Sequence, residues 1–244
     1  MRRHMVGRQA LLVAGFAGLV LLSGVARANS ALEWLQRAAT AAKQQNYSGV
    51  YVYHHGDQVD VLRVLHRNDG RREQEKTEVM DGTQRHFLRV DSDVYCHLAD
   101  GKQVRHERNA PRRFFPAFLP ARPAGLAALY ELRLGGVERV AGRPCQVVTL
   151  EPRDGYRHAF QLWLDSQTGL PLKSRIVNSD GNVVSMFVFS EVQIGSPPDP
   201  GLFRNDLAGK LVQQVSLGRR IDHAARRMLD LLLEAQAAPV RGDG

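Results

Sequence analysis

The chain lacks the short signatures by which most enzymes betray their chemistry. It has no G-x-S-x-G elbow, no H-E-x-x-H, no Walker loop and no G-x-G-x-x-G. Cysteine is nearly absent. The two present, Cys96 and Cys145, stand at a spacing that fits no zinc motif. A long apolar span is missing too. The run from Ala10 to Val25 covers 16 residues, short of the roughly 20 that cross a bilayer as a helix. Nor is there a strong excess of one charge. Lys plus Arg is 33 and Asp plus Glu is 25, a net charge of +8. Four of the arginines and none of the acids fall in the first 28 residues, which leaves +4 for the rest. That is mildly basic and not a nucleic-acid signature. No cofactor motif is present, and the sequence points away from an enzyme. A Ser-His-Asp set assembled from distant positions stays open, because its members need not be near in the chain.

What is present begins with an export signal. Arg2, Arg3, His4 and Arg8 precede the apolar run, and Ala26-Arg27-Ala28 supplies small residues where a signal peptidase reads. Cleavage is expected between Ala28 and Asn29, with the periplasm as destination. No Cys lies near the cut, which argues against a lipoprotein anchor. Outside the cytoplasm the relevant polyanions are lipid headgroups, lipopolysaccharide phosphates and acidic protein segments. An oxidising compartment permits a Cys96–Cys145 disulfide. The alternative is two separate buried thiols in strands, and sequence does not supply the Cα distance that decides.

Ser30-Ala31-Leu32-Glu33 is a capping box. It predicts an amphipathic helix to about Gln45, with Leu32, Leu35, Ala39 and Ala42 on one face. The period then changes to two. Strands are expected at Ser48–His55, Asp60–Arg67, Arg72–Met80, Arg85–Val90, Asp93–Leu98 and Lys102–Arg108, with Asx and Gly turns between them. The stretch from Asn109 to Gly125 holds four prolines and breaks the pattern. A short helix is expected at Leu126–Leu132. Further strands follow at Gly136–Val140, Arg143–Glu151, His158–Asp165, Leu170–Asn178 and Val183–Ile194. Ten or eleven strands exceed what one flat sheet tolerates, so the sheet must curl or close. Beyond Phe203, Leu211, Val215, Ile221, Met228 and Leu232 with Arg219, Arg220, Arg226 and Arg227 suggest a basic amphipathic helix to about Ala235. That helix is read as packing on the sheet or as a tail, with a membrane-surface or partner helix as the second reading.

In the stretch FQLWLDSQTGLPLKSRIV, Phe160, Leu162, Leu164, Leu170, Leu172 and Ile176 share one face. Gln161, Trp163, Asp165, Lys173 and Arg175 share the other. Among the histidines, His54 and His55 are adjacent on a strand and point to opposite faces, while His66, His86, His97 and His106 are scattered. Glu73 and Glu75 share a strand face that, with Arg71, Arg72 and Lys76 nearby, reads as solvated. Arg112, Arg113, Phe114, Phe115, Phe118 and Leu119 form a proline-stiffened loop. Its guanidinium groups suit phosphate or carboxylate, and its Phe suit acyl chains or a hydrophobic peptide. Lid over a cavity and plug of the open sheet are equal readings of this loop. With Trp163 these residues are the candidate lipid- or peptide-binding set.

Several long blocks agree in order and spacing with one family. Trp34 to Arg67 (WLQRAATAAKQQNYSGVYVYHHGDQVDVLRVLHR), Glu138 to Asp154 (ERVAGRPCQVVTLEPRD), Glu151 to Ile176 (EPRDGYRHAFQLWLDSQTGLPLKSRI) and Phe187 to Gly195 (FVFSEVQIG) resemble the RseB/MucB family of periplasmic envelope-stress regulators. The resemblance covers roughly Asn29 to Phe203. It implies an α+β, mainly β fold similar to the lipoprotein carriers LolA and LolB: a curved, antiparallel, half-open barrel with helices in its concavity. The concave face would then take acyl chains or hydrophobic peptide. The resemblance also implies a negative regulator. It would bind the periplasmic domain of a transmembrane anti-sigma factor, protect it from regulated proteolysis and release it on sensing lipopolysaccharide or another acyl ligand. The expected organisation is a signal peptide at 1–28, a LolA/LolB-like domain at 29–203, and a helical tail at 204–244 where the family carries a second β domain. A periplasmic lipid or lipoprotein carrier is the alternative function, and an envelope hydrolase a third. Homo-oligomerisation stays open.

Overall fold

The computed structural model describes residues 30–82, 84–98, 104–107, 116, 119–120, 122–204 and 212–214. Residues 30–44 form helix α1. Strands β1 (Tyr47–His55), β2 (Gln58–Asn68), β3 (Glu73–Val79), β4 (Arg85–Val90), β5 (Asp93–Leu98) and β6 (Val104–Glu107) follow. A 3-10 turn (Pro123–Gly125) leads into the short helix α2 (Leu126–Leu129). Then come β7 (Tyr130–Val140), β8 (Arg143–Pro152), β9 (Ala159–Asp165), β10 (Pro171–Val177), β11 (Val183–Ile194), a 3-10 turn (Pro200–Phe203) and β12 (Val212–Gln214).

All twelve strands belong to one sheet, in the order β12-β6-β5-β4-β3-β2-β1-β11-β10-β9-β8-β7. Two meanders, β1–β6 and β7–β11, join where β1 pairs antiparallel with β11. The sheet curls. Three strands separate β7 from β11, which in a flat sheet would put them about 19 Å apart, yet they approach within 8 Å between Cα atoms. Its two edge strands, β12 and β7, are not paired with each other, so the barrel is half open. A bulge between Leu134 and Val137 and another opposite Val50/Tyr51 supply local twist.

The helix sits on the core face. Ala31, Leu35, Ala38, Ala39, Ala41 and Ala42 are buried in the same cluster as Tyr51, Leu162, Leu172 and Phe189. The stripe is rotated slightly from the expected one, so that Leu32 is only partly buried. Small side chains let the helix axis approach the sheet closely. Arg37 donates to the Gln167 carbonyl in the β9–β10 turn. At the other end, Asn68 Nδ2 donates to the Lys43 carbonyl at 2.7 Å. The helix therefore crosses the ends of the strands lying between β9 and β2.

Three expectations need correction. The helix expected at Leu126–Leu132 ends at Leu129, and Tyr130 already starts β7. Burial alternates over Tyr130 to Arg133, and pairing of Tyr130 with Pro152 and Leu132 with Leu150 overrides the helix preference of Leu and Ala. Gly135-Gly136 is a bulge inside that strand and not its beginning. Second, the basic helix expected from Leu211 lies almost wholly outside the described residues, and at Val212–Gln214 the chain is a strand parallel to β6. Third, the sheet is less one-sided than its sequence. Trp163 and Asp165 face away from Leu162 and Leu164, yet they are 3% and 0% exposed. Trp163 Nε1 donates to Glu138 Oε2 on β7 at 2.6 Å, and Lys173 Nζ lies 4.1 Å from its ring centroid. Asp165 is enclosed by Arg143 and Thr168.

Candidate binding face

The core face of the curl divides by chemistry. From β1 and β11 across to β8 it is apolar and aromatic. Tyr53 and Phe187 stack at 4.2 Å between centroids, Tyr51 meets Phe189 edge-on at 5.7 Å, and Tyr130 meets Phe160 edge-on at 5.9 Å. Leu150, Leu162, Leu172 and Ile176 fill the space between. Alternation places Phe160, Leu162, Leu164, Leu172 and Ile176 together, as the sequence pattern requires. Among the described residues these side chains are packed core backed by the alanine-rich helix, with the Ser174 hydroxyl on the same face beside Leu162 and Phe187.

From β2 to β4 the same face carries charge. Register sets Tyr47, His66, Glu75, Arg89 and Val94 side by side across β1 to β5. His66, Glu75 and Arg89 are 0%, 4% and 4% exposed. Burial pushes the Glu75 carboxyl above its usual range, while Arg89 and His66 pull it back. The solvated reading of Glu73 and Glu75 is therefore corrected. The Glu75 side chain is buried, and Glu73 reaches His66 Nε2 at 2.9 Å. Sequence reasoning missed this row because its charged members come from three strands. Only the register aligns them, and no local pattern encodes it. On the outer face, His86 and His97 are direct cross-strand partners whose rings stack at 4.2 Å. They flank a groove with Arg63, Glu78 and Arg85.

The sequence-predicted set is only partly placed. Arg112, Arg113, Phe114, Phe115 and Phe118 lie outside the described residues, as do Ala28 and Asn29 of the cleavage site. Leu119 is 7% exposed and packs into the core cluster with Leu126 and Tyr130. Trp163 is buried on the face opposite Leu162, tied to Glu138, so it does not line the apolar concavity.

Cys96 on β5 and Cys145 on β8 are both buried and are not joined. Seven strands separate β5 from β8 in the sheet order. Burial pushes the Cys145 thiol up to about 11, and the neighbouring Asp165 carboxylate adds to the push. Little thiolate forms at neutral pH, and the thiolate is the reactive species. With both thiols buried, the native protein should resist a thiol reagent at about pH 8. In denaturant without reductant, two thiols per chain should react. Fewer than two would mean that the cysteines had paired.

Comparison with known proteins places these features in a family. Residues 30–214 match the model of the MucB/RseB N-terminal domain. The sigma factor AlgU regulatory protein MucB of Pseudomonas aeruginosa is 36% identical over 186 residues, which cover 74% of this chain and 56% of that protein. A crystal structure of MucB superposes with a TM-score of 0.62 at 31% identity, covering 75% of this chain and 66% of that one. The complex structure of Pseudomonas aeruginosa MucA/MucB gives 0.61 at 32% identity, covering 72% and 61%. The chain thus spans a little over half to about two thirds of the length of these relatives.

Proposed function

Because the chain belongs to the MucB/RseB family through its N-terminal domain, we propose that it is a regulatory binding protein of the bacterial periplasm. Its partner is the periplasmic segment of an anti-sigma factor, which it shields from regulated proteolysis. An acyl ligand such as lipopolysaccharide favours the form that binds this segment weakly. The observation that carries the reading is the likeness, over about three quarters of the chain, to the sigma factor regulatory protein MucB, which is seen in complex with MucA. The apolar and aromatic composition of the core face supports the lipid half. The N-terminal pattern of Arg2, Arg3, Arg8 and the apolar run supports export.

The two ligands are then linked. A lipid that lowers affinity for the segment must itself bind more weakly in the segment's presence, by the same factor. Isothermal titration of the purified chain with the cognate anti-sigma segment should show saturable binding that a lipopolysaccharide fragment weakens. Absence of binding with and without the fragment would remove the regulatory reading. An acyl ligand recovered by solvent extraction and mass spectrometry would then favour a lipid carrier.

A further inference from the structure

His66 is fully buried and has an oxygen on each ring nitrogen. Nδ1 lies 2.7 Å from the Gln45 carbonyl oxygen, and Nε2 lies 2.9 Å from Glu73 Oε1. A carbonyl oxygen only accepts, and so does an ionised carboxylate. A neutral imidazole carries one N–H and cannot serve both. The arrangement therefore needs one proton more than a neutral imidazole and a carboxylate hold together. Either His66 is an imidazolium that donates to both oxygens, or Glu73 is protonated and donates to Nε2.

The two oxygens belong to different parts of the fold. Gln45 is the residue that follows α1, and Glu73 begins β3. His66, on β2, bridges them. Nearby, the Asn68 amide N–H donates to Asn46 Oδ1 at 2.8 Å, and Asn68 Nδ2 to the Lys43 carbonyl. Over its length α1 packs on the sheet with five alanines and Leu35. The alanines each contribute little dispersion energy, so the polar ties at the C-terminal end add to the packing of Leu35 and the partly buried Leu32 and Trp34.

Three described strands bring groups to His66. From β1 the Tyr47 ring stacks on it at 4.6 Å, with 9° between planes. From β3 come Glu73 and its register partner Glu75, and from β4, beyond Glu75, comes Arg89. A charged Glu75 favours a positive His66 and Arg89 opposes it, with Glu75 standing between His66 and Arg89 in register.

We propose that a proton held by the His66–Glu73 pair fastens the C-terminal end of α1 to the sheet, and that its loss as pH rises releases that end. Once the proton leaves, a nitrogen lone pair faces an acceptor oxygen in a buried site. One of the two bonds must break, to Gln45 or to Glu73. In an exported protein that pH is set by the surrounding medium, but the clamp itself does not rest on export or on a partner.

The test is native-state hydrogen exchange of the last turn of α1 in the purified chain, corrected for intrinsic rates, from about pH 5.5 to about pH 9. The His66 ring nitrogen shifts are followed in parallel. Protection in that turn should fall roughly tenfold relative to β1 and β11 as the pair loses its proton, about the loss of one buried hydrogen bond. Glu73→Gln supplies an amide N–H that donates to a neutral Nε2, which closes the clamp without the extra proton. Its protection should stay level over the same range. Wild-type protection that does not change with pH would overturn the proposal. So would an equal fall in Glu73→Gln.

Discussion

Gly49→Ala should unfold at a much lower denaturant concentration than the wild type, with a loss of about 3 kcal/mol or more. A Cβ at this position would stand 2.4 Å from the Glu191 backbone oxygen and 2.9 Å from the Phe189 ring. Separations this short do not persist, and the first of them involves main chain. A flexible side chain could swing aside, but the Glu191 carbonyl moves only with β11. That strand is constrained here. Val50 pairs with Glu191 and Tyr51 with Phe189, which leaves Ser190 as the extra residue of a bulge. Ser190 Oγ in turn donates to the Val50 carbonyl at 3.0 Å. The added methyl therefore presses on the seam that joins the two meanders. Gly136→Ala is the matched control. It too is a strand glycine, but nothing lies within 4 Å of its Cβ position, and it should be close to neutral. Urea titrations of both variants decide the matter. A Gly49→Ala midpoint equal to the wild type would mean that β11 yields far more readily than its bulge and pairing suggest.

Asp165→Asn should be nearly as damaging, and its cost should depend on pH. The Asp165 carboxylate is wholly buried and accepts from Arg143 Nε at 2.7 Å and Nη2 at 3.2 Å, and from the Thr168 amide and hydroxyl at 2.8 Å each. Burial by itself would raise its pKa. The Arg143 and Thr168 hydrogen bonds outweigh that and hold the carboxyl below the usual carboxylate range. A depressed folded-state pKa stabilises the fold fully above the unfolded value of about 3.9, and that contribution is lost as pH falls through the lower folded value. Removing the charge leaves Arg143, 29% exposed, without its carboxylate at the end of β8. The expected loss at neutral pH is about 3 kcal/mol, the low end for breaking a buried pair because the guanidinium keeps some water. Below about pH 4 the wild type should lose this advantage and the two midpoints should converge. A constant difference from about pH 7 to about pH 2 would show that the charge is not what stabilises the β9–β10 turn.

Much of the secondary structure could be read directly from the chain. The strands at Arg85–Val90, Asp93–Leu98 and Val183–Ile194 lie at the expected residues. Two of the expected turns carry the positive φ that their residues permit, 84° at Gly70 and 82° at Gly181. Side-chain alternation is a local property with a period of two, so one face of Phe160 to Ile176 could be recognised without knowing its neighbours. The capping box at Ser30 and the alanine spacing marked α1 for the same reason. The RseB/MucB resemblance, carried by blocks such as Glu151 to Ile176, supplied the half-open barrel that pattern alone did not name.

What the sequence determined by itself, then, is which residues form strands and α1, where several turns fall and which side chains share a face. The tertiary structure decided what those faces meet. Whether Trp163 is a ligand contact or a buried partner of Glu138 depends on β7 and β9, separated in the chain but brought within hydrogen-bond reach by the fold. The row of His66, Glu75 and Arg89, and the proton that His66 and Glu73 share, exist because the register of β2, β3 and β4 aligns them. Shifting one strand by a residue would send every side chain to the other face while leaving each local pattern intact. The choice between registers is made by the whole core at once, through the burial of Tyr47, Leu35 and Phe189 under a single curl, and no short window of sequence contains that information.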